Sequence, residues 1–339
     1  MPLRQQEMPW HDVVTQTLSR VQDSMPDYPL RWGAEALWEQ LTPQLPGLSV
    51  EVVARIASTN TALLERARIV TPAAEEGDLA QVRRSVESTA FGRRAADLQP
   101  CLLVAEHQTH GRGRQGRVWQ AAPGASLTFS LALPLSPKDW SGLSLAVGVA
   151  LAEALDPPAN PAESIEPGAG QPAPSMRMAG QRIGVKWPND LWLLDDKRGG
   201  RKLGGILIET VAAGARRLAV IGVGLNVLPM STSEVATGYA CLQEIDPETS
   251  APKVLSRVAK PLVEALRRFE REGFQAFAAA FTARDMLFGR AVFTTHPNVP
   301  EGVAAGLAPD GSLLVRTGDG VKEVGSGEVS VRLDLQRGA

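Results

Sequence analysis

Apolar and polar positions alternate along the chain in a way that predicts many short strands and a few helices. Residues 49–56, 102–106, 126–133, 183–187, 191–194, 205–210 and 218–227 are short apolar runs with a strand pattern. Residues 62–68 follow Ser58-Thr59-Asn60, a set that caps helix N-termini, and are predicted helical. Residues 143–155 repeat apolar positions at helical spacing, with Ala and Gly between them for close packing. Residues 253–271 place Leu255, Val258, Leu262, Leu266 and Phe269 on one face of a long amphipathic helix, with Pro261 as a point for a kink. Trp32, Leu37, Trp38, Leu41 and Leu45 predict one or two helices within residues 1–50.

Two stretches break this pattern. Residues 71–99 are charged and small, and are expected to form a surface insertion or a helix. Residues 156–182 hold Pro157, Pro158, Pro161, Pro167, Pro172 and Pro174 among many Ala and Gly; this composition cannot build a core and predicts a flexible surface loop. From Gly289 onward, short β-type runs are punctuated by Pro300-Glu301-Gly302, Asp310-Gly311 and Asp319-Gly320, which predicts a small β-barrel or sandwich. The expected fold is α+β. A main domain with a mixed β-sheet flanked by helices spans 51–286, with the Pro-rich insertion at 156–182. A helical extension precedes it (1–50) and a small all-β barrel follows it (287–339).

Composition narrows the class. With 44% hydrophobic and 21% charged residues, the chain has an ordinary globular balance. A net charge of −2 offers no surplus for nucleic acid or a membrane surface. Cys101 and Cys241 are too few for a disulfide framework or a metal cluster, and are expected to pack as small apolar groups in a reducing cytoplasm. There is no apolar run of about 18 residues to suggest a transmembrane helix. Glu7 and Asp12 do not suit a secretory signal, so a cytoplasmic enzyme is expected. Residues 1–50 carry three basic residues (Arg4, Arg20, Arg31) against six acidic ones, a poor footprint for reading DNA.

The strongest chemical feature is Gly111-Arg112-Gly113-Arg114-Gln115-Gly116-Arg117-Val118-Trp119. Its glycines let backbone approach a ligand, and its arginines offer planar forks for carboxylate and phosphate oxygens. It spells G-x-G-x-x-G after a strand, but a dinucleotide fingerprint should open a helix, and here Pro123, Gly124 and another strand follow. An RGG-type nucleic-acid segment would sit in a long disordered repeat, whereas this one lies between apolar strands.

Lys186-Trp187-Pro188-Asn189-Asp190-Leu191 joins two strand-like runs. A lysine in so apolar a stretch needs an anionic partner, although an ion-paired or edge-strand lysine fits as well. Lys202-Leu203-Gly204-Gly205 opens one strand and Gly222-Val223-Gly224-Leu225-Asn226 ends another. These glycines allow a planar ligand to lie on backbone, or simply mark bulges and turns.

Taken in order, Ser58-Thr59-Asn60, 108–119, 186–191, 202–209 and 222–226 resemble the biotin protein ligase family, with similarity from about residue 52 to 333. The resemblance implies activation of biotin by ATP as biotinyl-5′-AMP, followed by transfer to a lysine of a biotin carboxyl carrier domain of acetyl-CoA carboxylase or a related carboxylase. ATP and biotin would be substrates and magnesium the metal, with no ligands assigned to it. The resemblance places Ser58, Thr59, Asn60, Gln108, Arg112, Gly113, Arg114, Lys186, Gly204 and Gly205 at biotin. It places Arg112, Arg114, Arg117, Trp119, Lys186 and Asn226 at ATP or the adenylate, with Lys186 and Arg114 as the catalytic pair.

The chemistry agrees, because a carboxylate attacking a phosphate needs cations to offset the repulsion. Many relatives carry an N-terminal winged helix that binds DNA. Residues 1–50 are short and acidic for that, so no repressor activity is expected. Gln115 stands where the loop often has another basic residue. Dimers are common in the family, and a homodimer is left open. Lipoate or octanoate ligases share the lysine region but lack the Gly/Arg loop in this form. A non-catalytic regulator that binds adenylate and DNA would need a basic N-terminus.

Overall fold

The structure is a computed structural model that describes residues 30–68, 88–91, 99–157, 181–195, 199–213, 216–230, 238–327 and 331–333. Most of the Pro-rich insertion (158–180), most of 71–99 and the first 29 residues lie outside the described residues.

Eight strands form the main sheet. They are β1 (Ser49–Ile56), β2 (Ser88–Phe91), β3 (Cys101–Gln108), β6 (Ser126–Pro134), β7 (Ile183–Lys186), β8 (Asp190–Leu193), β9 (Arg201–Ala213) and β10 (Arg216–Asn226), in the order β2-β1-β3-β6-β10-β9-β8-β7. Two short strands, β4 (Gly111–Arg112) and β5 (Val118–Trp119), form a separate ribbon. Among the described ladders of this sheet, β1 and β3 pair in parallel and the others are antiparallel. The sheet is therefore mixed, as expected. The strand β2 was not anticipated: within 71–99, residues 88–91 pair with 50–53 of β1 and extend the sheet by one strand.

Strands β3 and β6 are buried over almost their whole length because both of their faces are covered. Leu102 and Val104 of β3 join the larger core, under α3 (Leu143–Leu155) and α4 (Ala251–Glu272). Cys101, Leu103 and Ala105 face the other way. There they pack with Leu63, Leu64 and Ala67 of α2 (Thr59–Arg68). A period of two in the strand thus divides one run between two cores. Near-total burial of α3 explains its sequence: Gly148 stands where a Cβ would come within 3.2 Å of Val185.

The described part of the N-terminal segment holds a single helix, α1 (Ala34–Leu41). Trp32, Leu37, Leu41, Leu45 and Leu48 are buried in the larger core, and the Trp32 indole donates to Glu106 (2.9 Å). Asp156 is no part of a loose loop. Its carboxylate accepts from the backbone N–H of Arg182 (2.7 Å) and Ile183 (2.9 Å), and Arg284 lies 3.6 Å away. One buried carboxylate therefore joins both ends of the Pro-rich insertion.

After α5 (Ala278–Arg284), β11 (Ala291–Thr294), β12 (Glu301–Leu307), β13 (Leu313–Thr317), β14 (Gly320–Val324) and β15 (Val331–Leu333) form an antiparallel sheet. Its order is β14-β13-β12-β11-β15. No ladder among the described residues joins its edges β14 and β15. The small sheet docks onto the main domain through the Trp187 indole, which donates to the Gly311 carbonyl (3.0 Å).

Candidate active site

The Gly/Arg stretch folds as the β4–β5 ribbon, with Gly111 opposite Trp119 and Arg112 opposite Val118. Its tip turns through Gln115 (φ 57°) and Gly116 (φ 70°), both in the left-handed region. No helix follows, which removes the dinucleotide reading. The ribbon covers one side of a cavity of about 730 Å³, of the size that takes a small-molecule ligand.

Ser58 caps α2, accepting from the Thr61 N–H (3.4 Å) and, through its carbonyl, from Ala62 (3.0 Å). At this helix end Gln108 accepts from the Thr59 N–H (2.7 Å), and the Thr59 hydroxyl lies 3.1 Å away. Thr59 and Ser130 hydroxyls lie 2.7 Å apart, and Ser130 donates to the Asn60 side-chain oxygen (2.6 Å). The result is a compact, largely buried set of neutral donors and acceptors.

The floor is β9 and β10, where glycine is required by close approach. A Cβ at Gly222 would lie 2.9 Å from Asn60 Cγ, and one at Gly224 would lie 2.7 Å from Trp119 Cζ2. Those positions seat the Asn60 amide and the Trp119 ring. Gly205 faces the cavity beside Asp190 and Lys202. Gly204 does not: a Cβ there would point to the other face of the sheet, 2.8 Å from the Gly224 carbonyl, and the residue is absent from the lining. Adjacent strand residues face opposite ways, so side-chain positions at Gly204 and Gly205 point to opposite faces of the sheet.

The lining is also rich in cations. Arg112, Arg114, Arg117, Lys186, Arg201, Lys202 and Arg332 line the cavity, with Asp190 the one carboxylate among the described lining residues. Lys186 ends β7 and is 7% exposed. Its ammonium donates to the Val331 carbonyl (2.8 Å) and lies 5.3 Å from the centre of the Trp192 ring. Burial pulls its pKa below the ordinary lysine value; Asp190 opposes this, and Lys202, Arg117 and Arg332 reinforce it. Burial likewise lowers the Arg114 value, with Asp190 opposing and Arg117 reinforcing. Arg114 donates to the Ser326 and Gly327 carbonyls, so both expected catalytic cations touch the C-terminal segment.

Lys202 pairs with Asp190 (2.7 Å) and lies 5.9 Å from the Trp119 ring centre. Asn226 lines the cavity, but its amide donates to the Lys202 (3.2 Å) and Ala240 (2.9 Å) carbonyls, a role in holding the wall. The indole N–H groups of Trp119 and Trp192 are buried in this wall without a partner.

The cavity thus gathers Ser58, Thr59, Asn60, Gln108, Arg112, Gly113, Arg114, Arg117, Trp119, Lys186, Gly205 and Asn226 from five separated motifs. Sequence reasoning missed Lys202 and Asp190 as site residues, although both lie inside motifs it had singled out. It missed Ser130, hidden in an apolar strand, and Arg332, which only the docking of the second sheet brings here.

Residues 94–226 match the Biotin/lipoate A/B protein ligase family, and residues 289–332 match the Biotin protein ligase C terminal domain. The chain is 30% identical to the Escherichia coli bifunctional ligase/repressor BirA, over 87% of this chain and 77% of that protein. It is also 30% identical to a Mycobacterium tuberculosis biotin--[acetyl-CoA-carboxylase] ligase, over 88% of this chain and 91% of that protein. The fold is shared with an Aquifex aeolicus biotin protein ligase solved with biotin and ATP, at a TM-score of 0.58 and 24% identity, covering 84% of this chain and 99% of that one. The chain belongs to the biotin protein ligases.

Proposed function

We propose that this cavity binds biotin and ATP side by side, joins them as biotinyl-5′-AMP, and passes the biotinyl group to a lysine of a biotin carboxyl carrier domain of acetyl-CoA carboxylase. The observation that carries this is the make-up of the cavity lining: seven cations with one carboxylate, and a set of neutral donors and acceptors, share a single cavity. A ureido ring needs the latter, and two reacting anions need the former.

In the first step a biotin carboxylate oxygen forms a bond to the α-phosphorus, and the bond to the β-phosphate bridging oxygen breaks as pyrophosphate leaves. Lys186, Arg112 and Arg114 offset the negative charge concentrated at that centre. Arg117 and Lys202 stand beside them, and Trp119 supplies a flat apolar wall for the adenylate. In the second step a carrier lysine nitrogen attacks the acyl carbon, AMP departs with the bonding pair, and the amine loses a proton. The Gly/Arg ribbon keeps water from the mixed anhydride meanwhile.

Magnesium fits the donor set in a limited way. No cluster of three His, Cys, Asp or Glu exists among the described residues, and Asp190 is the lining carboxylate. Bound there, the ion would share phosphate charge with the cations, held by Asp190, ATP oxygens and water. Two buried free cysteines fit a reducing cytoplasm. No described helix is long and apolar enough to cross a membrane. The acidic bias of residues 1–50 supports a ligase without repressor activity, tested by retention on DNA at low salt.

The deciding experiment incubates the protein with biotin, ATP, magnesium and a carrier domain. The expected result is a biotin mass added to the carrier that requires ATP and disappears in Lys186→Ala. Transfer of lipoate or octanoate in its place would move the assignment to the sister ligases.

A further inference from the structure

Glu209 lies on β9 outside the cavity lining, on the same face of the strand as Gly205 and Leu207. Its two carboxylate oxygens face different elements. Oε1 accepts from Arg112 Nη2 of the Gly/Arg ribbon (3.0 Å), and Oε2 accepts from Asn60 Nδ2 of α2 (3.0 Å). Arg112 also donates to Thr61 Oγ1 (3.2 Å), and Asn60 Nδ2 also reaches the Leu207 carbonyl (3.2 Å). From Asn60 the contacts continue through Ser130 (2.6 Å), whose oxygen accepts from the Thr59 hydroxyl (2.7 Å), and the Thr59 backbone N–H donates to Gln108 (2.7 Å). One chain of hydrogen bonds therefore runs from the ribbon to the neutral groups of the cavity, and Glu209 is its only charged acceptor.

We infer that Glu209 is a positioning residue that couples occupancy of the biotin end of the cavity to the seating of the Gly/Arg ribbon; this rests on the function proposed above. The physical reason is conformational. The buried Asn60 amide is held at both edges, its Nδ2 by Glu209 Oε2 and its oxygen by Ser130. A substrate that bonds to Thr59, Asn60 or Gln108 orders this chain from one end. Arg112, which is 45% exposed, then finds the Glu209 carboxylate already oriented. Ordering at one end lowers the entropy lost at the other, and the coupling acts in both directions. The Arg112–Glu209 pair is partly solvated, so the effect is modest in size.

The test separates charge from shape in the full-length protein. Glu209→Gln keeps an oxygen for Asn60 but loses the charge that holds Arg112. It should release biotinyl-adenylate about fivefold faster, equivalent to about 1 kcal/mol, with the KM for biotin within about twofold of the parent. Glu209→Ala loses both contacts and should also raise that KM about tenfold. Biotin alone should slow tryptic cleavage at the ribbon arginines in the parent, and this protection should vanish in Glu209→Gln.

If Glu209→Gln proves poorly folded, Arg112→Met removes the same pair from the other side and should abolish the same protection. In the cycle with Arg112→Met, the double variant should release adenylate no faster than Arg112→Met alone. Retained protection with unchanged adenylate release in Glu209→Gln overturns the inference. A parent protein that makes no adenylate from biotin and ATP would instead sink the underlying function, so the two failures are distinct.

Discussion

Lys186→Met separates the chemical and structural roles of the most deeply buried cation in the cavity. The ammonium is 7% exposed and donates to one carbonyl, Val331 at 2.8 Å, with the Trp192 face 5.3 Å away. Methionine has similar length and bulk and removes the charge. Loss of the charged hydrogen bond costs about 1.5–3 kcal/mol, and loss of the cation–π contact about 0.5–2 kcal/mol. Relief of ammonium desolvation opposes both with several kcal/mol. The net change in stability should stay within about 2 kcal/mol of zero, or about 5 °C in Tm for a chain of this size. The catalytic loss has no such offset. Removing one preorganised donor from a developing anion lowers rates by about 10²–10³, or about 2.7–4 kcal/mol. Single-turnover formation of biotinyl-adenylate measures the rate, and differential scanning fluorimetry measures the fold. A drop of more than about 10 °C together with the lost activity would make Lys186 a structural residue. A loss of less than about tenfold would remove it from the chemistry.

Other outcomes follow from named contacts. Because burial lowers the Lys186 pKa, adenylation should fail on the alkaline side before the ordinary lysine range near 10.4. Between the lowered and ordinary values the folded state binds fewer protons than the unfolded one. This group's contribution to stability therefore rises with pH while activity falls. A pH–rate profile of Lys186→Arg should lose that early limb, and an unchanged limb would assign it to another group. Gly222→Ala drives a methyl into the Asn60 amide, so calorimetry should show biotin affinity falling by at least about tenfold, with ATP affinity altered far less. Asp156→Ala frees both ends of the Pro-rich insertion and leaves Arg284 unpaired, which should cost about 3–5 kcal/mol in denaturant unfolding. Deleting 160–178 should leave turnover largely intact, and a collapse there would give the insertion a role in catalysis.

Much of this molecule was determined by its sequence alone. Hydrophobic periodicity gave β1 and α3 their observed limits, because burial on one or two faces imposes a period that the residues must obey. Residue chemistry marked the Gly/Arg stretch and Lys186 as anion-binding, because few other side chains do that work. The short strand β2 escaped, since Ser88-Thr89-Ala90-Phe91 has no pattern of its own and is a strand only because β1 offers it an edge. The fate of the Gly204-Gly205 pair was equally hidden, as facing depends on register. Only the tertiary structure decided which cations converge. Arg332 and the Val331 carbonyl arrive from more than a hundred residues away, through the docking of a second sheet. Glu209 became a link between Arg112 and Asn60 only when α2 and the ribbon settled over β9. Local sequence fixes periodicity and chemical type, whereas distance and burial come from packing between elements far apart in the chain.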